Sequence, residues 1–566
     1  MKKILLLLVV GSAVIYTGCQ KFLDKNPKGV LSENEVNTPD GAEQLVIAAY
    51  SQLGNDHYDT PYSLWPYGNV RSDDAYKGGR DEADIQNFHF TETFVNTRPD
   101  LTEYDNIWYN FYVGVARANT ALKVIGNLDE NEYPNKQARM GEMRFLRGHF
   151  YFMLKIMFKN IPWIDETVAA EDYAAISNTA LSNDELWQKI AEDFEFAAAN
   201  LPIRQDEVGR ASGGAAYAYL AKTRLYKAYL QDANHNVTGI NNTDMQAVVD
   251  ACNAAMAAGY ALESDFANNF LPGSYENGPE SIFAIQFSKD DNTMFGRLNW
   301  SDLLATPQGL GCCDFHKPSQ NLVNAFKTGT DGLPEFDDYN VVDYDATANT
   351  VDPRLDHTVA IPGHPFKYET SRLYEDSWNR SPSIYGYYAS LKENVSPDCD
   401  CFVNVDPFYA NTKNRIQIRL SDVMLFKAEA LIELGQQDLA LDIINALRTR
   451  AANSTALLVD ASGSYISLFN VQTYQPGVNC TWTQEYARQA LRWERRLELA
   501  MEGSRFFDLV RWGVAAETLN SYFSTERTKR SFLSGAAFTK NKNEYLPIPL
   551  NQINFSQGVY HQNPGY

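Results

Sequence analysis

Residues 419–451 read RLSDVMLFKAEALIELGQQDLALDIINALRTRA, and this stretch decides the fold. Its apolar residues recur at intervals of three and four, which is typical of an amphipathic helix. Alanines at positions 428, 430, 440 and 446 allow two helices to approach closely. Gly435 stands between them and permits a tight turn, because glycine adopts backbone conformations that other residues avoid. The stretch therefore predicts two helices that pack back on each other.

The predicted unit has about the size of a tetratricopeptide repeat. Similar helical periodicity fills the first half of the chain, over 40–53, 104–125, 135–158, 183–200, 213–231 and 243–258. The spacing of these segments is too irregular to define a repeat from sequence alone. We predict a mainly all-α protein whose scaffold consists of stacked, tetratricopeptide-like helix pairs.

The composition changes between residues 262 and 414. Gly, Pro, Asn, Asp and scattered aromatic residues replace the helical periodicity, as in GLGCCDFHKPSQN and AIPGHPFKYETSRLYEDSW. This pattern predicts long irregular loops with a few short strands. Long loops on a rigid scaffold often carry binding residues. We expect a single domain over 19–566, with a helical half at about 19–260 and a loop-rich and C-terminal half at about 261–566.

The overall composition excludes some functions. The chain has 566 residues, of which 44% are hydrophobic and 21% charged, so it can bury a large core. Its 71 acidic and 49 basic residues give a formal net charge of -22. A polyanion would be repelled overall, and we therefore expect no nucleic-acid partner.

The N-terminus has the pattern of an export signal. Two lysines precede an apolar run over 4–16, whose 13 residues are too few to span a bilayer. Gly18 and Cys19 follow, and this order resembles the bacterial lipobox, in which a small residue precedes a cysteine that becomes diacylated. We expect 1–18 to be a cleaved lipoprotein signal and Cys19 to be the lipidated N-terminus. The alternative is an ordinary secretory signal followed by an unmodified cysteine.

Six further cysteines would lie in a compartment where disulfides persist. They are Cys252, Cys312, Cys313, Cys399, Cys401 and Cys480. Their pairing does not follow from the sequence. The adjacent pair and the near pair lack the CxxC spacing and the neighbouring histidines of zinc sites, so we expect no metal at these cysteines. We also expect no cofactor.

A second motif points to a family. Residues 490–513 read ALRWERRLELAMEGSRFFDLVRWG. This segment resembles the hallmark ERRxELxxEGxRxxDLxRWG of the SusD/RagB family of outer-membrane nutrient-binding lipoproteins. The agreement covers Glu494, Arg495, Arg496, Glu498, Leu499, Glu502, Gly503, Arg505, Asp508, Leu509, Arg511, Trp512 and Gly513. Further similar segments are SDDAY at 72–76, ARANTAL at 116–122, DPR at 352–354, LPIP at 546–549 and QNPGY at 562–566, so the resemblance runs through the chain.

The resemblance implies a non-catalytic protein that binds an oligo- or polysaccharide and delivers it to a SusC-like TonB-dependent transporter. It also implies a lipid-anchored protein of the outer membrane that faces the cell exterior. The family serves peptide uptake as well, so a peptide- or protein-binding relative on the same scaffold is an alternative.

The hallmark segment places opposite charges three residues apart. The pairs are Arg495 with Glu498, Glu502 with Arg505, and Asp508 with Arg511. On a helix such residues meet along the surface, which predicts a structural ion-pair lattice. Glu494 and Glu498 have the alternative interpretation of a glycosidase acid/base pair. The surrounding arginines would keep both carboxylates ionised, which disfavours a general acid.

Other signs of catalysis are weak. The sequence has no GxSxG, HExxH or Walker motif, and its eight histidines are scattered. Asp73 and Asp74 are adjacent, so in an extended segment they would face opposite ways. A surface glycosidase that uses loop carboxylates such as Asp73 with Asp314 remains the rival function.

Three loop-like segments combine aromatic and polar residues, as a sugar site requires. Flat rings stack on the apolar faces of sugars, while amides, carboxylates and guanidinium groups bind the hydroxyls. The segments are 57–76, 295–316 and 367–388. A single aromatic residue in such a loop more often packs in the interior than on a ligand. Our candidates for glycan binding are Trp65, Asp73, Asp74, Phe94, Trp300, Arg372, Trp378, Tyr385 and Tyr387.

Overall fold

The computed structural model describes residues 36–292 and 297–566. The expected signal and Cys19 lie outside the described residues, so the leader and the lipid anchor stay predictions. The described part of the chain is mainly helical, which confirms the predicted fold class.

Stacked helices build the first half. They are α1 (Pro39–Tyr50), α2 (Gln86–Thr93), α3 (Thr102–Asn127), α4 (Lys136–Phe158), α5 (Asn183–Asn200), α6 (Gly213–Ala228) and α7 (Asn242–Met256). From α3 to α7, each helix packs against the next one in the chain. Small residues permit the close approach. A methyl group at Gly148 in α4 would lie 2.9 Å from the ring of Phe194 in α5.

The second half continues the array. Its helices are α8 (Gln320–Ala325), α9 (Arg354–Thr358), α10 (Pro382–Tyr385), α11 (Leu420–Glu433), α12 (Gln437–Asn453), α13 (Gln484–Glu498), α14 (Arg505–Arg511), α15 (Ala515–Glu526) and α16 (Leu550–Phe555). Helix α7 packs on α11, and α11 packs on both α12 and α13. Gly435 has φ +74° between α11 and α12, which confirms the predicted turn of this helix pair.

Short strands lie between the helices along the chain. They are β1 (Ala75–Gly78), β2 (Tyr229–Gln231), β3 (Val237–Ile240), β4 (Ser281–Ile285), β5 (Phe315–Pro318), β6 (Lys327–Thr328), β7 (Thr350–Val351), β8 (Val359–Ala360), β9 (Pro365–Phe366), β10 (Glu369–Leu373), β11 (Ala389–Ser390), β12 (Phe402–Val405), β13 (Phe408–Asn411), β14 (Arg415–Arg419) and β15 (Leu468–Phe469). Most pair in twos, as β1 does with β5, β4 with β14 and β12 with β13, and β7 lies between β6 and β15.

The predicted helix over 213–231 was too long. Helix α6 ends at Ala228, and Tyr229 begins strand β2, which pairs antiparallel with β3. The phenol of Tyr229 donates a hydrogen bond to Glu429 of α11 at 2.6 Å. Tertiary contacts therefore end the helix where the sequence pattern continues it.

Three apolar clusters fill the interior of the described residues. The largest lies among the helices. A second lies beneath the loops and includes Trp65, Leu298, Phe315 and Leu497, the last of these on α13. The third and smallest includes Phe366 and Tyr374. The loops of the middle region therefore rest on a packed base. None of the helices within 36–292 and 297–566 is both long and apolar enough to cross a membrane.

Candidate functional site

The hallmark segment folds into α13 and α14, and most of its charged residues are buried. Glu498 accepts hydrogen bonds from Arg354 at 2.9 Å, from Arg419 at 2.5 Å and from Arg450. Glu494 accepts one from Arg354 at 2.6 Å. These five residues, which we call the ion-pair network, connect α13 to α9, β14 and α12.

One of the three expected pairs forms. Arg511 donates to Asp508 at 2.8 Å. The other two predictions were wrong, because Arg495 also donates to Asp508, at 2.9 Å, and Arg505 donates to Asp73. Most of these charges are buried, so their partners come from elements that pack onto the helix rather than from its exposed face.

The ion-pair network is unsuited to acid/base catalysis. Burial by itself raises the pKa of Glu498, but the charges of Arg450, Arg419 and Arg354 outweigh it and hold the pKa well below its ordinary value. An ionised carboxylate has no proton to donate to a leaving group. Glu494 is buried as well, with 1% of its surface exposed. The geometry therefore supports a structural role for both residues.

Three of the aromatic candidates are interior residues. Trp65 donates its indole N–H to the carbonyl oxygen of Ser301 at 3.0 Å. Phe94 packs against Phe538, and Tyr385 packs against Phe532, with ring centroids 5.0 and 4.9 Å apart. At most 7% of the surface of any of the three candidates is exposed. In this structure their rings pack in the interior of the protein.

The two acidic candidates are also buried. Asp73 accepts two hydrogen bonds from Arg505, both at 2.9 Å, and Asp74 accepts one from Arg496 at 2.8 Å. Burial raises the pKa of Asp73, but Arg496 and Arg505 outweigh it and lower the pKa. The segment is not extended here, so the condition under which the two side chains would face opposite ways is not met. Residues 71–74 form turns rather than a strand, and Arg496 contacts both carboxylates.

Trp300 belongs to a row of partly exposed rings. It stacks on His57 with centroids 5.9 Å apart and planes 21° apart. His57 contacts Tyr58 at 4.1 Å, and Tyr58 contacts Phe408 of β13 at 5.1 Å. His57 is exposed and the other three are half-buried. The row therefore presents aromatic surface to solvent.

Trp378 belongs to a second group of rings. This group lies beside the hairpin that β12 and β13 form. The indole of Trp378 packs edge-on against Phe366 at 5.3 Å and lies directly over Gly309. Tyr409 of β13 lies over Gly311, two residues further along this loop, and stacks on Phe402 of β12 at 5.3 Å and 18°. Trp378, Phe402 and Tyr409 are each half-buried.

The β12–β13 hairpin carries members of both groups. Phe408 and Tyr409 are neighbours in β13, so their side chains point to opposite faces. We call the seven partly exposed residues of the two groups the aromatic rim: His57, Tyr58, Trp300, Trp378, Phe402, Phe408 and Tyr409. Sequence reasoning named two of them as candidates and missed five. The alternation in FVNVDPFYAN, with Asp-Pro as its turn, was the signal for the hairpin.

Arg372 lies at the base of this hairpin. It donates to Glu369 and to Asp398, each at 2.7 Å. Asp398 precedes the disulfide between Cys399 and Cys401, which leads directly into β12. Arg372 is thus connected to the aromatic rim through the backbone.

Tyr387 is 46% exposed. It follows Gly386, whose backbone packs against the guanidinium group of Arg530. Among the ring contacts between described residues, none connects Tyr387 to the aromatic rim.

The structure resolves the cysteine pairing that the sequence left open. Cys312 forms a disulfide with Cys313, and Cys399 with Cys401. Cys252 and Cys480 are free. Both disulfides lie in loops that adjoin the aromatic rim.

A helical scaffold, a buried arginine–carboxylate network on the hallmark helix and loops that carry the aromatic rim define a SusD-like class of protein. Comparison with known families agrees. Residues 279–566 match the model described as the SusD family, and residues 21–225 match one described as "Starch-binding associating with outer membrane". The chain belongs to the SusD family.

Relatives align over nearly the whole chain. SusD-like protein P2 of Formosa agariphila is 24% identical over 563 residues, which cover 97% of both chains. A SusD-like protein of Bacteroides ovatus is 24% identical and covers 90% of this chain and 82% of its own.

Solved structures share the fold. A SusD homologue of Bacteroides thetaiotaomicron has a TM-score of 0.71 at 19% identity, over 95% of this chain and 99% of its own. A SusD-like carbohydrate-binding protein of Bacteroides fragilis has a TM-score of 0.71 at 24% identity, over 92% and 98%. A laminarin-binding SusD-like protein has a TM-score of 0.63 at 21% identity, over 94% and 100%.

Proposed function

We propose that this protein binds an oligo- or polysaccharide at the cell surface, does not cleave it, and delivers it to a SusC-like TonB-dependent transporter. The aromatic rim is the observation that carries the proposal. Rings such as Trp300 and Trp378 are only half-buried, which leaves aromatic surface available to stack on the apolar faces of sugars. Arg372 and the exposed Asp398 and Asn404 supply groups that bind hydroxyls.

Similar proteins support a carbohydrate ligand. One structural neighbour is described as carbohydrate-binding and another as laminarin-binding. We expect modest affinity, of order micromolar or about 8 kcal/mol, because a carrier must release what it captures.

The carboxylates considered for catalysis are poorly placed for it. Asp73 and Asp314 are 2% and 1% exposed, and each is held in an ion pair. Asp314 accepts from Lys317 at 2.7 Å and from the backbone N–H of Arg380 at 2.8 Å. A glycosidase needs a carboxyl pair at an accessible glycosidic bond. This burial supports a binding role over a surface glycosidase.

Arrays of glycans and peptides test the ligand class. We expect the purified mature protein to retain one group of glycans, with no new reducing ends after prolonged incubation. Release of reducing ends would make the protein a glycosidase. Retention of peptides alone would establish the peptide-binding alternative.

The anchor is tested separately. We expect Cys19→Ala to move the protein from the membrane fraction to the soluble fraction. A variant that stays on membranes after a carbonate wash would contradict lipidation at Cys19.

The partner is tested by affinity capture. A tethered protein that binds sugar at the surface needs a channel to move it inward, so we expect a TonB-dependent barrel to co-purify from mildly solubilised outer membranes. Recovery of the protein alone would remove the transporter from the proposal and leave glycan binding in place.

A further inference from the structure

The loop 309–313 lies between two rings of the aromatic rim. An added Cβ at Gly309 would overlap the indole of Trp378, and one at Gly311 would overlap the phenol ring of Tyr409. Both rings therefore lie on bare backbone, and any side chain at either position would push them away. The backbone of this one loop therefore supports both Trp378 and Tyr409.

Hydrogen bonds close the loop onto itself. The backbone N–H of Asp314 donates to the carbonyl of Thr306 at 2.9 Å, and the amide of Gln308 donates to the carbonyl of Gly311 at 2.5 Å. The hydroxyl of Thr306 donates to the carbonyl of Tyr409 at 3.2 Å. The first two bonds close the segment 306–314 that contains the loop, and the third attaches Thr306, at the start of this segment, to the β12–β13 hairpin.

The disulfide of the loop joins adjacent residues, Cys312 and Cys313. A disulfide stabilises a fold mainly by closing a long loop in the unfolded chain, and this one closes almost none. Its contribution is therefore local, because the small ring that it forms restricts both cysteines. Cys313 is buried, whereas Cys312 keeps part of its surface exposed. Sulfur is polarizable and makes favourable contacts with apolar surfaces.

We propose that loop 309–313 is the specificity-determining element of the glycan site: its glycines support Trp378 and Tyr409, and the partly exposed Cys312, next to Gly311, contacts the apolar face of the sugar. This inference rests on the proposed function. It names the region of the aromatic rim that discriminates among glycans, and it assigns the adjacent disulfide to ligand recognition rather than to stability.

The test compares variants of the full mature protein on one glycan array, followed by titration calorimetry with laminarin and with the most strongly retained array glycan. The variants are Cys312→Ser/Cys313→Ser and Gly309→Ala. The controls are Cys480→Ser at a free, half-buried cysteine and Gly535→Ala, where an added Cβ meets nothing within 4 Å. Melting temperature and amide hydrogen exchange over 306–314 are measured without ligand.

We expect about a tenfold rise in Kd for both loop variants and an altered rank order of array glycans. The melting temperature should stay unchanged, while exchange over 306–314 should rise in the double cysteine variant. The controls should match wild type. If Gly309→Ala fails to fold, the cysteine variant decides the matter alone.

Two negative results are distinguishable. If wild type binds glycans and both loop variants bind them with unchanged affinity and rank order, the inference is overturned and the proposed function stands. If wild type binds no glycan on the array, the proposed function fails and the inference fails with it.

Discussion

Glu498 is fully buried among three arginines, whereas Trp378 keeps part of its indole in solvent over a loop of glycines. The first belongs to a long sequence motif, and the second belongs to no motif at all. A buried charge is costly unless every partner is in place, so the residues around it are tightly constrained. A ring at the surface needs only a flat support, so many sequences can provide one. The motif therefore specifies the scaffold, while the proposed ligand site lies in loops that a motif does not define.

The largest effect should follow from removing the charge of Glu498. Glu498→Gln keeps the shape but leaves Arg354, Arg419 and Arg450 without their common carboxylate. We expect the free energy of unfolding to fall by about 3–5 kcal/mol in urea denaturation. Glycan affinity of the folded variant should be unchanged.

The matched control is Glu192→Gln. Glu192 lies 3.3 Å from Lys189, and both side chains are more than 40% exposed. An exposed pair contributes less than about 1 kcal/mol, so stability should barely change. Similar small losses for both variants would mean that the buried network is not what holds α13 in place.

The helices could be predicted closely where local signals agree with the tertiary structure. Helix α5 begins and ends at the predicted residues, because Ser182 and Glu185 form a capping box at its start. Helix α6 was predicted too long because strand β2 pairs with β3, which lies beyond the predicted segment, and because Tyr229 contacts Glu429 of the distant α11. The pattern of 213–231 contains no local signal for that pairing.

The site was harder to predict because burial is a property of the whole fold. The sequence makes Asp73 a reasonable sugar ligand. In the fold it accepts a hydrogen bond from Arg505, which is 432 residues away in sequence. Trp65 and Trp378 both lie in loop-like sequence, yet the former is buried and the latter is half-exposed. The rim residues Tyr58 and Phe408 meet only because the hairpin packs on the earlier loop, which no spacing in the sequence reveals.

Trp378→Ala tests the exposed side of the comparison. We expect the free energy of glycan binding to weaken by about 1–3 kcal/mol, the range for a ring stacked on a nucleobase. The melting temperature should change little. Trp300→Ala should act in the same direction.

Trp163→Ala serves as the opposite control. Trp163 is half-buried and stacks on Tyr151 of α4 with centroids 4.3 Å apart. Its loss should lower the melting temperature and leave glycan affinity unchanged. If both tryptophan variants lower stability equally and binding equally, the glycan site does not lie at the aromatic rim.

The pH dependence of stability tests a second buried group, the imidazole of His149. Burial, and then the charges of Lys222 and Arg415, lower the pKa of His149 from 6.5 to about 3. Between pH 3 and pH 6.5, His149 therefore binds a proton in the unfolded chain but not in the folded one. The resulting stability is fully present above pH 6.5 and is lost as the pH falls toward 3.

Comparison of wild type with His149→Gln isolates this contribution. Between pH 6.5 and 4.5, wild type should lose about 1.4 kcal/mol per pH unit more than the variant. His561→Gln, at an exposed position, should track wild type. Parallel curves for wild type and His149→Gln would contradict a neutral, buried His149.

The smallest effect should come from Arg372→Ala. The side chain is 29% exposed and its partner Asp398 is 76% exposed, so the pair contributes at most about 1 kcal/mol to stability. Its loss should loosen the start of the hairpin that carries Phe402 and Tyr409, and we expect glycan affinity to fall by less than about tenfold.

Salt should separate this polar contribution from ring stacking. The difference between wild type and Arg372→Ala should shrink when ionic strength rises from about 0.05 to 0.5 M, because screening weakens exposed ion pairs. The effect of Trp378→Ala should not depend on salt. Lys289→Ala, which removes a similar exposed pair with Asp400, is the control for general loosening of the loop. An Arg372→Ala variant that loses more affinity than Trp378→Ala would mean that charged groups at the hairpin base, rather than the rings, dominate recognition.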